Sequence, residues 1–157
     1  MDKKYTVDEL WKEYQKINPM AKEYIEAFYF CSDRKSANNL LDLVLKGEKR
    51  GTSSLIKGYE LDHEEMPKVG DYSIVTDFDG NAYCVIKTIR TEVVPFNQSP
   101  VDFSRIEGEG DKSFKYWHDC HVEFFSNECK NDYNLVFSED MEILFEEFEV
   151  VYQIERR

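Results

Sequence analysis

Lys49 and Thr52 stand three residues apart in a run of small and polar residues, Gly47-Glu48-Lys49-Arg50-Gly51-Thr52-Ser53-Ser54. A hydroxyl beside an amine is a pairing that nucleophilic catalysis uses. Threonine is a weak nucleophile at its own pKa and needs a base in contact. Partial burial would make a lysine such a base, because desolvation disfavours the ammonium. The backbone N–H groups of the same run could hold a developing oxyanion. A carboxylate to orient the lysine or protonate a leaving amine is available further on, in Ile106-Glu107-Gly108-Glu109-Gly110-Asp111. Glycines interleaved with acids make a poor helix, each costing about 1 kcal/mol in a helix interior, so this stretch reads as a loop. An ion pair between Glu109 and Lys49 would work against the lysine as base, and the two effects compete. Both stretches also have a plainer reading. The first is then a solvated connector, and the second an exposed acidic loop in which Asp111 caps the following helix.

A third cluster, Trp117-His118-Asp119-Cys120-His121, precedes Phe124-Phe125. Histidines at i and i+3 can share a helix face, but a metal needs a further ligand and no standard zinc spacing is present. Neither a metal nor another cofactor is expected. His121 shares its stripe with Trp117 and Phe124 and reads as a buried histidine held by one hydrogen bond, still able to face a pocket. Trp117 reads as core before it reads as a stacking platform.

The elements that must position these groups follow from periodicity. Thr6 with Glu9 forms a capping box for a first helix carrying Leu10, Trp11, Tyr14 and Ile17. Asn18-Pro19 predicts a second helix, with Ala21, Tyr24, Ile25 and Phe28 inward. A third is predicted over 36–46, stopped by Gly47 in the left-handed C′ position. Strands follow: one leaving the junction through Leu55-Ile56, a hairpin over 72–90 turned by Asp79-Gly80-Asn81, and a further strand at Glu92-Val93-Val94 ended by Pro95. Short and longer helices are predicted over 100–106 and 113–126, and a closing strand over 143–154. No repeat or linker interrupts the chain. A single domain over 1–157 is expected, a small curled sheet or barrel with helices outside and at one end.

Composition narrows the function. The chain has 157 residues, with aromatics at 15% and a formal charge of −12. Acidic excess argues against broad, sequence-blind binding to DNA or RNA, which needs basic surface to release counterions. It leaves room for a local pocket. Lys46, Lys49, Arg50 and Lys57 surround Glu48 alone, while Glu139, Asp140, Glu142, Glu146, Glu147, Glu149 and Glu155 crowd the C-terminal end. No apolar run reaches membrane length. Met1-Asp2-Lys3-Lys4 leads into a charged helix with no export signal, so the cytoplasm is expected. Cys31, Cys84, Cys120 and Cys129 show no CxxC pairing, and reduced thiols are expected there.

Taken in order, these segments resemble the ASCH domain, a relative of the PUA fold. The resemblance is carried by Gly47, Lys49 and Thr52 as GxKxxT, by Pro67-Lys68-Val69-Gly70-Asp71-Tyr72, and by Val94-Pro95-Phe96. EGEGDxS over 107–113, YWxxxHxxFF over 116–125 and Phe148-Glu149-Val150-Val151-Tyr152 complete it. It is most similar to a longer bacterial subgroup with an N-terminal helical extension, here residues 1–35. The resemblance implies an α+β fold, a PUA-like small β-barrel with flanking helices and a cleft at the GxKxxT junction. It implies RNA or a modified nucleoside as partner. Small bacterial members hydrolyse the acetyl amide of acetylcytidine with a Lys–Thr–Glu set, and another member is a ribonuclease. Lys49, Thr52 and Glu109 match that set, with Glu107 the near competitor for the acid. Arg50, Gly51, Ser53, Ser54, Glu107, Trp117 and His121 are then the expected ligand-binding residues. A non-catalytic nucleotide- or RNA-binding module, with Lys49 and Arg50 on phosphate and Tyr59 or Trp117 stacking a base, is the alternative. The small amidohydrolases carry arginine where this chain has Ser54.

Overall fold

A computed structural model describes residues 3–154; Met1, Asp2 and Glu155, used above, lie outside the described residues. The element order is α1 (Val7–Ile17), β1 (Glu26–Phe28), α2 (Arg34–Leu45), β2 (Gly51–Leu55), α3 (Ile56–Asp62), β3 (Tyr72–Thr76), β4 (Ala82–Pro95), a 3₁₀ turn (Phe96–Gln98), α4 (Asp102–Glu107), α5 (Phe114–Asp132) and β5 (Glu142–Gln153). The strands form one sheet in the order β1-β3-β4-β5-β2, curled into a half-barrel. All neighbours run antiparallel except β1 and β3.

The direction of curl can be read from contacts. Four strand steps separate β1 from β2, about 19 Å in a flat sheet. Yet Lys49, just before β2, sets its Nζ 4.9 Å from the centroid of the Phe30 ring, just after β1. Tyr59 on α3 also feels the charge of Glu26 on β1. The sheet edges therefore bend toward each other. The inner face carries Val75, Cys84, Ile86 and Phe148, packed under Leu40, Leu41 and Val44 of α2. On the outer face Ile74, Ala82 and Val85 pack with Leu10, Trp11 and Tyr14 of α1. Leu55, Ile143 and Phe145 pack there with Phe103 of α4 and with Trp117 and Phe125 of α5.

The capping box is present: Thr6 Oγ1 accepts from Glu9 N while a Glu9 carboxylate oxygen accepts from Thr6 N. Gly47 ends α2 at φ 78°, and Glu48 and Lys49 both donate their backbone N–H to Leu43 O. The hairpin between β3 and β4 turns through Gly80. The four cysteines named above are free thiols.

Some sequence expectations give way. The second helix does not form. Asn18 Oδ1 accepts from Met20 N, and Gln15 Nε2 donates to the carbonyls of Ala21 and Lys22, so side chains satisfy this backbone. Ile25 N then donates to Tyr72 O and Glu26–Phe28 pairs with β3. The apolar residues at 21, 24, 25 and 28 fit helical spacing, but the free edge of β3 offers a ladder and wins. Ile56 begins α3 rather than extending β2, and Gly58 lets that helix approach Tyr133, whose hydroxyl donates to Asp62. The two strands expected between 83 and 94 are one, with a register shift near Ile89. The longer helix continues past 126 to Asp132, capped by Ser113 rather than Asp111.

Gly108 decides how the acidic loop meets the junction. Its φ is +69°, and an added Cβ would lie 1.9 Å from Glu48 O. Ile106 O beside it accepts from Arg50 N at 2.8 Å. Gly108→Ala therefore forces the loop off the junction, whereas Gly80→Ala, with φ +87° and nothing within 4 Å, meets only backbone strain of about 1–2 kcal/mol. Urea denaturation should show the Gly108 variant losing at least twice what the Gly80 variant loses. Equal losses would mean the close approach has no energetic weight.

Candidate functional site

Lys49 is 1% exposed, and a buried ammonium must be compensated. Its Nζ donates to Gly51 O at 2.8 Å and to Glu109 Oε2 at 2.8 Å, and lies 4.0 Å from Glu107 Oε1. The Phe30 ring covers it from the far side. The Arg50 carbonyl accepts from Phe148 N on β5, so the next carbonyl, that of Gly51, turns away toward the open edge of β2. Lys49 thus lies along that edge.

Glu107, also 1% exposed, ends α4 beneath it. Oε2 accepts from Ser53 Oγ at 2.6 Å and from Trp117 Nε1 at 2.7 Å. Oε1 lies 3.2 Å from His121 Nε2. The other ring nitrogen, Nδ1, lies 2.7 Å from Trp117 O. Both nitrogens of His121 face acceptors, so both must carry protons, and the ring is an imidazolium. Burial disfavours that charge, but the Glu107 charge and hydrogen bond and the Trp117 carbonyl raise its pKa above the ordinary value of 6.5. Burial likewise pushes Glu107 up, and His121, Lys49 and Ser53 outweigh it, holding the carboxyl at about 2. Two cations and two carboxylates therefore balance: His121 answers Glu107 and Lys49 answers Glu109.

The expected site residues divide over two faces of β2. Ser53 points to the outer face with Glu107, Trp117 and His121. Thr52 pairs with Glu146 and Ser54 with Leu144, so both lie on the inner face, opposite Ser53. Thr52 makes no hydrogen bond to Lys49, and its hydroxyl has no side-chain partner among the described residues. Nζ nevertheless sits at the end of this inner face: the Phe30 ring it contacts stacks on Phe148, two residues from Glu146 on the same face. Gly51 touches Ile106, an added Cβ lying 2.8 Å from its side chain. Arg50 is exposed and lines a groove with Lys46, Lys49 and Phe148. Trp117 is buried, stacked on His121 and Phe96. His118 engages different partners, Glu139 at 2.6 Å and Asp119 at 3.2 Å. Among the described residues no group of three or more His, Cys, Asp or Glu could hold a metal.

Sequence reasoning missed Phe30, because it read the preceding residues as helix, and Glu146, because it read the C-terminal acids as one charged stretch. The alternation Leu144, Glu146, Phe148, which puts an acid at a core position, was the available signal.

A half-barrel with a buried lysine at its open edge, backed by an acidic loop and an aromatic helix, defines a PUA-like class. The chain belongs to the ASCH domain family, whose model matches residues 26–152. It is similar to the ASCH domain from Lactobacillus crispatus JV V101, 38% identical over 92% of each chain with a TM-score of 0.85. It is also similar to protein EF3133 from Enterococcus faecalis V583, 29% identical over 92% of this chain and 87% of that one, TM-score 0.85. The hypothetical protein PH0355, at 16% identity and TM-score 0.52 over 81% of this chain and all of its own, shares the fold. No curated protein matches significantly. Among the described residues no helix is long and apolar enough to cross a membrane.

The cluster predicts a stability window. Glu107 has a lowered pKa, so its contribution is complete above about pH 4.5 and is lost as pH falls toward about 2. His121 has a raised pKa, so its contribution is complete below about pH 6.5 and is lost as pH rises through the folded value. Glu107→Gln should cost about 3 kcal/mol between those limits, because it leaves buried cations without their partner. The gap from wild type, read from denaturant midpoints, should narrow on both sides. A gap independent of pH would show that the pair is not ionic.

Proposed function

We propose that this ASCH protein takes a nucleoside or nucleotide in the cleft between β1 and β2 and hydrolyses an amide on its base, acetylated cytidine or a related modified nucleoside being the substrate class. The observation that carries the reading is the 2.8 Å Lys49–Glu109 contact at the open edge of β2, three residues before a threonine whose hydroxyl has no side-chain partner among the described residues. Seating a substrate over the pair excludes water, and a proton moves from Nζ to the Glu109 carboxylate. The neutral amine takes the Thr52 proton as the hydroxyl oxygen attacks the acyl carbon. The Glu109 carboxyl returns its proton to the departing amino group, and water then hydrolyses the threonine ester. Lys49 and Thr52 must close on each other for this, as such contacts commonly do when substrate binds.

The same ion pair favours a second reading. With the ammonium balanced by Glu109, the exposed Lys46 and Arg50 beside it are left to meet an anion, which suits a module that binds nucleotide or an RNA end without turnover.

Incubation with acetylcytidine and with short RNA, followed by mass analysis, separates them. The first reading expects a nucleoside lighter by one acetyl group. Thr52→Ala and Lys49→Met should each lower that rate at least about a thousandfold while the protein stays folded. Full activity in folded Thr52→Ala removes Thr52 as nucleophile. Unchanged ligand with salt-sensitive binding selects the second reading, and cut RNA selects ribonuclease action.

A further inference from the structure

The inner face of a small half-barrel is normally filled by side chains that pack as a core. Here only one end is. Under α2 the lining is apolar: Phe30, Val75, Cys84, Ile86 and Phe148. Toward α3 polar groups join Leu144 of β5 on this face. Thr52 and Ser54 of β2 lie on this face with Glu146 of β5, and Thr88 of β4 is 2% exposed and donates its hydroxyl to Glu146 Oε1 at 3.0 Å. Ser73 of β3 is also buried, in register with Ile86 and with Glu26 at the rim. Tyr59 closes the far side, hydrogen-bonded to Ser54. Hydroxyls from three strands and a helix, with one carboxyl fixed among them, do not make a core. The Thr52 hydroxyl in this wall has no side-chain partner, and β1 and β2 do not pair to close the gap.

We propose that this polar face forms a chamber for a base, the base-binding subsite of the cleft, and that Glu146 reads its ligand's exocyclic amino group. The argument rests on the nucleoside reading of the preceding subsection and deepens it. Acceptors line the interior, whereas Lys46 and Arg50 are exposed around the adjoining groove that also touches Lys49 and Phe148, with Glu149 the one acid among its lining residues. A ligand that fits has N–H donors at one end and negative charge at the other. A phosphate is repelled from the interior by Glu146, by Glu26 at its rim and by Asp71 beyond. An ionised carboxylate accepts from an amino group such as cytosine N4 and repels the keto oxygen that replaces it in uracil. Thr88 holds Oε1, which leaves Oε2 for the ligand.

The chamber also sets a pH dependence. Burial, then the charges of Glu26 and Asp71, push Glu146 up to about 7, against the Thr88 hydrogen bond that lowers it. Tyr59 faces the same space but is pushed up to about 12, by burial first and then by the charges of Glu146, Glu26 and Glu64. A protonated Glu146 can donate to a keto oxygen, so discrimination between amino and keto bases should fade as the carboxyl gains its proton.

The test is equilibrium binding of cytidine and uridine by calorimetry, at about pH 8 and about pH 6. Neither nucleoside titrates between those values. Wild type should prefer cytidine by on the order of tenfold at the higher pH, and the preference should shrink at the lower. Glu146→Gln, whose amide can donate or accept, should bring the ratio near one at both. A wild-type preference that is absent, or that ignores pH, overturns the assignment without any variant. Cytidine bound with its preference intact in Glu146→Gln overturns it too, and leaves the nucleoside cleft standing. Neither nucleoside binding removes both.

Discussion

One buried ammonium organises this molecule. Lys49 arrives at its position because Gly47 ends α2 in a left-handed turn and the next two backbone N–H groups close on Leu43. From there its side chain runs along the free edge of β2. That edge cannot be left bare, since unpaired backbone groups on an edge strand invite pairing with another chain. Nζ satisfies the outward carbonyl of Gly51 and reaches Phe30 across the gap. A full barrel would close here through strand hydrogen bonds. This chain closes one end of the gap with a cation instead, which leaves the rest open.

The ammonium is affordable only because the surrounding charges sum to zero. Removing an ion from water costs several kcal/mol even after relaxation. Glu107 and Glu109 offset it, and Glu107 is itself offset by the doubly protonated His121. Well-packed apolar groups of the same volume would stabilise the fold as well or better. The cluster is therefore a poor stability device and a good way to hold charge at fixed positions. Such preorganised charge is what binding or turning over a polar ligand requires. Glu109 is the half-buried member, and on the proposed reading it is the one a ligand meets.

Much of this was legible in the sequence, for reasons particular residues show. The helix cap at Thr6, the stop at Gly47 and the turn at Gly80 are local effects, decided by one or two side chains and backbone angles. The convergence of Lys49 with Glu107 and Glu109 was legible through motif order. What failed depends on distant partners. Residues 21–28 carry a helical pattern, and only the waiting edge of β3 makes them extended. Ser53 and Thr52 are adjacent in sequence, and both were read as site residues. The pleat sends them to opposite faces, Ser53 into the charge cluster and Thr52 onto the inner face. Glu146 was hidden among acids because its surroundings come from strands far off in the chain, Thr88 on β4 and Thr52 on β2.

On the proposed reading, that division by the pleat lets a chain with a formal charge of −12 offer a site for an anionic ligand. Local charge, not net charge, decides binding within a Debye length of about 8–10 Å. Most of the acids are solvated and screened. Near the site Glu107 is committed to His121, Ser53 and Trp117, and Glu109 to Lys49, while Glu149 shares the groove with Lys46 and Arg50. Glu146 stands apart on the inner face, paired across the ladder with Thr52 and away from the exposed cations. Lys46 and Arg50 remain exposed beside the opening. The potential therefore changes sign across a few residues of β2, positive at the junction and negative within. A ligand whose own polarity runs the opposite way is oriented by the field before any base-specific contact forms.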